Sequence, residues 1–220
     1  MGKGRPRRLR RVPYAPRLIV MAKSPRAGRI KRRLAASIGT IPATRFYRAC
    51  LAHTLMRLGS SPRWHTVLGV TPDSDVAATL WPRTARLARL PQGSGDLGAR
   101  MQLLFQRLPP GPAIIVGTDI PSISAGEIAK AFRLLGNADA VFGPAADGGY
   151  WLVGLRRSPR VLTPFAHVRW SGKHALADTL HNLKGRRVAF AATLSDVDTE
   201  DDYRRLRGDW ERLIPRRSAR

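Results

Sequence analysis

Two short segments hold the residues best suited to chemistry. The apolar run "AIIV" ends in "GTDIPS" (Gly117–Ser122), and about 25 residues later comes "GPAADGGYWL" (Gly143–Leu152). Each places a carboxylate, Asp119 or Asp147, where a buried strand breaks into a tight turn. In an open α/β sheet, ligands collect at the carboxyl ends of the strands. Asp119 can bind Mg2+ or Mn2+ through oxygen, with the ion bridging phosphates; its alternative is a cap on the next helix. Asp147 can accept a hydrogen bond from an acceptor hydroxyl or take its proton, and the two glycines after it permit close backbone approach; its alternative is a plain Gly-Gly hairpin turn. A magnesium site commonly uses a second carboxylate. "SDVDTEDD" (Ser195–Asp202) offers several, of which Asp198 is the choice. Asp201 and Asp202 fall in the first turn of a helix, where negative charge suits the dipole.

A cation-rich loop comes earlier. Lys23, Arg26, Arg29, Lys31, Arg32 and Arg33 lie within eleven positions, beside Pro25 and Gly28. The loop follows a strand and precedes a helix, where backbone N–H groups and charge suit phosphate. It is neither a Walker A loop nor a dinucleotide fingerprint. The alternative is a solvated face. "QGSGDLGARM" (Gln92–Met101) sets three glycines around Asp96, either against a nucleotide or as a flexible turn; Asp96 reads as a helix cap in both cases. Trp170 in "VRWS" belongs to a substrate rim or to the core. The five histidines show no metal-ligand spacing.

Alternating strand and helix patterns must position these groups. Strands are expected at Arg17–Ala22, Trp64–Thr71, Thr84–Leu90, Ala113–Gly117, Ala138–Gly143 and Val188–Ala191, with Tyr150–Leu155 as a hairpin arm. Helices are expected at Lys31–Ser37, at Ala43–Leu58, and after Asp96 with Leu97, Met101, Leu104 and Leu108 on one side. Others follow after Ser124, with Glu127 in a capping box, and at Ser171–Leu183 and Thr199–Ile214. This order predicts an α/β fold with a doubly wound, mainly parallel sheet. The expected organisation is a basic, disordered arm at 1–16, one domain at 17–214 and a basic tail at 215–220.

The net charge of +24 is uneven, since no acidic residue precedes Asp73. Such charge could hold nucleic acid or an anionic surface, but no aromatic interleaving or nucleic-acid motif accompanies it. The Arg-rich start lacks the Ser content and apolar face of an organelle presequence and the apolar core of a secretory signal. No apolar run reaches membrane-span length. A single cysteine, Cys50, excludes an internal disulfide. A cytoplasmic protein is expected.

The set "KSPRAGRIKRRL", "QGSGDLGARM", "IIVGTDIPS", "GPAADGGYWLVGL", "RWS" and "LSDVDTEDD", in this order from Lys23 to Asp202, resembles a bacterial family of GT-A-fold, glycosyltransferase-like proteins. They are known as radical-SAM/selenodomain-associated or arsenosugar-biosynthesis transferases. The family is similar to the guanylyltransferases of molybdenum cofactor and 2-phospholactate. The resemblance implies a GT-A, nucleotide-diphospho-sugar transferase fold. It implies that Lys23, Gly28, Lys31 and Arg33 line nucleotide phosphates, Lys31 also serving catalysis, and that Gly95 and Asp96 lie near the nucleotide. Asp119, catalytic as well, and Asp198 would hold Mg2+ or Mn2+. Asp147, also catalytic, would face the acceptor together with Gly148 and Trp170. Arg32 stands where the family usually has Thr, which removes a hydroxyl and adds charge. Two transferases remain open: one using a nucleotide-sugar and one releasing pyrophosphate from a nucleoside triphosphate, each acting on a small-molecule acceptor. A non-catalytic binder of nucleic acid or an anionic surface is the third reading. A dinucleotide-dependent oxidoreductase is disfavoured by the missing fingerprint.

Overall fold

The computed structural model describes residues 14–82, 87–195, 197 and 200–213, the last seven as backbone alone. Asp198, the basic tail, most of the basic arm and the first part of the strand expected at Thr84–Leu90 lie outside the described residues.

Among the described residues one seven-stranded sheet organises the fold. Its strands are β1 (Arg17–Lys23), β2 (His65–Thr71), β3 (Ala88–Pro91), β4 (Ala113–Val116), β5 (Ala140–Pro144), β6 (Tyr150–Leu155) and β7 (Val188–Phe190), in the order β3-β2-β1-β4-β6-β5-β7. The first four run parallel; β6 is antiparallel to both β4 and β5, and β7 is parallel to β5. The "DGG" hairpin arm is therefore present, and it inserts between β4 and β5. Reversing one strand brings the start of β6 to the same sheet edge as the ends of β1, β2 and β4. The fold is the mainly parallel α/β architecture that the motifs imply.

The helices among the described residues are α1 (Arg32–Ile38), α2 (Thr40–Leu58), α3 (Leu97–Arg107), α4 (Ala125–Leu134), α5 (Ala175–His181) and α6 (Glu200–Leu213), with α1 and α6 packed against α2 rather than on the sheet. The inner strands are buried on both faces, which explains why β4 is apolar throughout rather than alternating. Leu18, Val20 and Ala22 meet Leu51, Leu55 and Leu58 of α2 and Ile128 of α4. On the other face Ile19, Ile115 and Val153 meet Met101, Leu104 and Phe105 of α3, with Leu176 and Leu180 of α5 alongside. Each such Leu, Ile, Val, Met or Phe side chain contributes about 1.5–3 kcal/mol on burial. Among the described residues no helix is long and apolar enough to cross a membrane.

Most element boundaries fall within two residues of the expected ones. α2 starts earlier, at Thr40, because Gly39, at φ 90°, breaks it from α1 and Pro42 is tolerated in a first turn. α5 is much shorter than Ser171–Leu183. Ser171 has φ 64°, outside the helical basin, and the segment up to His174 is spent packing on the "DGG" turn. Both N-caps are present: Asp96 accepts from the Ala99 amide at 2.8 Å, and Ser124 accepts from the Glu127 amide at 3.2 Å, which is the Ser124 half of the expected capping box.

Candidate functional site

The carboxyl ends of β1, β2 and β4 and the start of β6 open onto two adjoining cavities. The larger, of about 790 Å3, is basic: Lys23, Arg29, Lys31, Arg32, Arg33 and Arg100 line it, with Tyr47, Gln92, Thr118 and Asp119. The smaller, of about 230 Å3, is lined by Asp119, Asp147, Tyr150, Trp151 and Trp170, with Leu97, Ile120 and Ser171. Gly117, Leu97, Asp119 and Ser171 belong to both. Asp119 thus stands at the junction of a cationic compartment and an aromatic one.

The first loop is braced before any ligand arrives. Arg48 donates to the Pro25 carbonyl at 2.9 Å, and the Lys23 amide donates to the Tyr47 hydroxyl at 2.8 Å. That hydroxyl donates in turn to the Lys23 carbonyl, also at 2.8 Å, and burial pushes its pKa up to about 12, so it stays protonated. Arg26 turns away from the loop's other cations into a two-pronged contact with Asp75, at 2.9 and 2.7 Å. It is therefore structural. The Arg26 guanidinium holds the Asp75 carboxyl down at about 2, below its ordinary 3.8. A depressed folded-state value means that this contact stabilises fully above about pH 4 and is lost as pH falls toward 2. In Asp75→Asn, the fall of Tm between pH 4 and 2 is expected to be shallower than in the unmodified protein, as read by circular dichroism.

Lys31 precedes α1 in the left-handed region, at φ 46°. Only 6% of its side chain is exposed. Its Nζ donates to Asp119 Oδ2 and to the Val197 carbonyl, each at 2.8 Å. The Val197 amide donates back to the Asp119 carbonyl at 3.1 Å, tying the segment before α6 to the end of β4. Gly117 leaves room for this arrangement, because a Cβ there would come within 2.9 Å of Asp119 Oδ1. Two hard oxygens therefore already share one cation at this point. That donor chemistry fits an ion of the Mg2+ or Mn2+ class, which also takes phosphates and water. Among the described residues no cluster of three or more His, Cys, Asp or Glu is present to bind a metal without such help.

In the smaller cavity, Asp147 accepts from the Gly149 amide at 2.9 Å, as an aspartate heading a tight turn does. Trp170 donates through Nε1 to Asp96 Oδ2 at 3.2 Å and packs against Phe165 and Tyr150. Asp96 uses its other oxygen to cap α3, so both of its oxygens serve structure. Arg169 binds Asp178 in a two-pronged pair at 2.9 and 2.8 Å, which fixes the segment ahead of Trp170 and holds the Asp178 carboxyl well below the usual range.

The structure brings Lys23, Lys31, Arg33 and Asp119 together around one cavity and Asp119, Asp147 and Trp170 around the other. Gly28, Gly95, Asp96 and Gly148 line neither. Gly28, at φ 77°, shapes the loop, and a Cβ on Gly95 would press on Ala99 at 3.0 Å. Gly148 lies so close to the Lys173 backbone that a Cβ would collide with it, so its evident demand is close packing at φ 85°. Asp198 lies outside the described residues. Arg100, Gln92 and Tyr47 are wall residues that the sequence reading passed over. Arg100 sits one turn along α3 from the Asp96 cap, a placement legible once that cap is known. By spacing alone Tyr47 is one more position on the buried face of α2. Gln92 donates to the Gly69 carbonyl at 2.9 Å, a contact only the sheet order reveals.

Residues 54–172 match the model of a family described as an uncharacterized protein conserved in bacteria (DUF2064). No curated protein matches the chain. Among solved structures, a protein of Desulfovibrio desulfuricans G20 assigned as a nucleotide-diphospho-sugar transferase is similar over 92% of both chains, with 25% identity and a TM-score of 0.80. Rv0371c of Mycobacterium tuberculosis H37Rv, solved as a complex with manganese, is similar over 89% of this chain and 98% of its own, at 19% identity and a TM-score of 0.51. Molybdopterin-guanine dinucleotide biosynthesis protein A of Archaeoglobus fulgidus is similar over 89% and 99%, at 13% identity and a TM-score of 0.53.

Proposed function

The chain belongs to the DUF2064 family of bacterial proteins, and from that premise we propose that it is a metal-dependent transferase with a nucleotide-activated donor, a nucleotide-sugar in the preferred form. The observation that carries this reading is the meeting of a six-cation cavity and a carboxylate-and-aromatic cavity at Asp119. The similarity to the Desulfovibrio protein assigned as a nucleotide-diphospho-sugar transferase supports it. The narrower resemblance to the selenodomain-associated and arsenosugar-biosynthesis transferases belongs to the same proposal.

In this reading the donor's diphosphate lies against Lys23, Arg29, Arg33 and Arg100. Their charges are in place before the reaction and stabilise the diphosphate as it leaves. Asp119 and the Val197 carbonyl, with Asp198 in its sequence-assigned role, would hold a Mg2+ or Mn2+ ion, which supplies further neutralisation of the leaving phosphates when bound. The acceptor hydroxyl bonds to the anomeric carbon. The bond from that carbon to the diphosphate oxygen breaks, and the nucleoside diphosphate leaves with the electron pair. Asp147 takes the hydroxyl proton. The manganese-bound Rv0371c supports the choice of ion class.

A second reading, a nucleotidyltransferase that releases pyrophosphate, is favoured by two observations. Six cations around one cavity suit a triphosphate at least as well as a diphosphate, and the fold is shared with the molybdopterin-guanine dinucleotide protein. A binder of nucleic acid would have no use for Asp119 and Asp147 on the cleft wall.

A thermal-shift panel of nucleoside triphosphates, nucleoside diphosphates and nucleotide-sugars, with Mn2+, Mg2+ or EDTA, tests the proposal, because a bound ligand raises Tm by mass action. The expected result is a metal-dependent rise that is largest for one nucleotide-sugar. A rise largest for a triphosphate selects the second reading, and no metal-dependent rise with any ligand overturns both.

A further inference from the structure

The smaller cavity differs in kind from its neighbour. Its charged wall residues are two carboxylates, Asp119 and Asp147, while the cations line the other compartment. Its three aromatic residues point their polar atoms elsewhere. Trp151 Nε1 donates to the Ala192 carbonyl at 2.9 Å, Trp170 Nε1 donates to Asp96, and the Tyr150 hydroxyl meets Thr179 Oγ1 at 3.4 Å. What the rings offer a ligand is apolar surface. The carboxylates are partly spoken for: Asp119 Oδ2 accepts from Lys31 and Asp147 Oδ1 accepts from the Gly149 amide. Lys31 offsets the charge of Asp119, and the remaining oxygen lone pairs of Asp147 are free to accept hydrogen bonds from neutral donors.

We propose that this cavity receives the acceptor, that the acceptor is an uncharged polyhydroxy ring with one apolar face, and that phosphorylated acceptors are rejected. The proposal rests on the transferase reading, since it assigns the cavity holding the proton-accepting Asp147 to the hydroxyl that gives up the proton. The apolar face of the ring lies on the aromatic wall, and its hydroxyls donate to Asp147. A phosphate on the ring would meet the Asp147 carboxylate, and no Lys or Arg is among the described residues lining this cavity to offset that charge. Like charges a few ångströms apart make that ligand weaker by about tenfold. A cavity of about 230 Å3 is small against the 300–1,000 Å3 usual for whole ligand pockets, which suits a single ring.

Saturation-transfer NMR on the full chain tests this, with Mg2+ and saturating inorganic pyrophosphate filling the basic cavity. Pyrophosphate binding is measured first by calorimetry. Its absence removes the transferase reading, and the ring measurements are then read on their own. The probes are glucose, galactose, mannose, ribose and myo-inositol, each beside its monophosphate, with glucosamine as the cationic control. The expected result is saturation of at least one neutral ring, weakened about fivefold by Trp170→Leu, and about tenfold weaker binding of its monophosphate. Asp147→Asn, which keeps the turn's acceptor oxygen, narrows that gap and serves as the second variant should Trp170→Leu lower Tm. A monophosphate or glucosamine that binds more tightly in a Trp170-dependent way overturns the proposal. So does the lack of a Trp170-dependent signal from every neutral ring. Displacement of the ring by UDP-glucose but not by UDP overturns it in favour of the donor's own sugar.

Discussion

Asp119→Asn is expected to abolish the metal-dependent rise in Tm produced by the best nucleotide ligand and to lower turnover about a thousandfold. The magnitude follows from what the residue joins. Charge stabilisation of a leaving diphosphate by a bound ion is worth several kcal/mol, and each 1.36 kcal/mol is tenfold in rate. Asp119 is the described carboxylate common to both cavities, so no described neighbour takes its place. Asparagine keeps one oxygen toward Lys31, whose ammonium also holds the Val197 carbonyl, so the local fold is retained and the loss is one of charge. The side chain is 33% exposed, and water satisfies whatever the amide does not. The check is a pair of thermal-shift titrations, wild type and variant, with nucleotide plus Mn2+ and with nucleotide plus EDTA. An Asp119→Asn protein that keeps its metal-dependent shift removes Asp119 from the metal site.

The two compartments were legible in the sequence to unequal degrees. β1 and β4 are apolar on both faces, and each ends in a Gly- or Pro-containing turn with charge just after it; the strand period and turn chemistry fix where Lys23 and Asp119 sit. The antiparallel β6 was legible as a hairpin arm because "DGG" forces a tight return. Its insertion between β4 and β5 was not, since no local signal says which strand edge β6 will pair with. That insertion carries Trp151 and Asp147 to Asp119. Side-chain partnership was the other hidden layer. Six cations within eleven residues look equivalent in a sequence, yet Arg26 goes to Asp75, 49 residues away, and Lys31 goes to Asp119, 88 residues away. Asp96 illustrates the same point in reverse. The cap on α3 follows from local chemistry, whereas its grip on Trp170 depends on how α3 and the segment before α5 come together. Gly148 reads as freedom for a ligand and is filled by the Lys173 backbone.

Lys31→Met is expected to produce two opposite changes in binding. In the ligand-free protein the Lys31 ammonium occupies Asp119 Oδ2 and the Val197 carbonyl, the same oxygens that would serve a divalent ion. Removing it relieves a competition between two cations for one carboxylate, so Mn2+ alone binds about tenfold more tightly. The same substitution takes a positive charge from the wall of the basic cavity. A charge-assisted contact to phosphate is about twice as strong as a neutral one, so a nucleoside diphosphate bound with Mn2+ is held about tenfold more weakly. Methionine preserves the length and the apolar stem of a side chain that is 6% exposed, and Asp119 retains access to water, so the fold tolerates the change better than it would a fully buried orphan charge. Electron paramagnetic resonance of free Mn2+ gives the first affinity, and calorimetry with the diphosphate gives the second. Tighter Mn2+ binding with weaker diphosphate binding identifies Lys31 as a resident cation that holds the carboxylate in place until metal and donor arrive. Weaker Mn2+ binding assigns Lys31 instead to orienting Asp119 for the ion, and unchanged binding of both ligands removes it from the site's chemistry altogether.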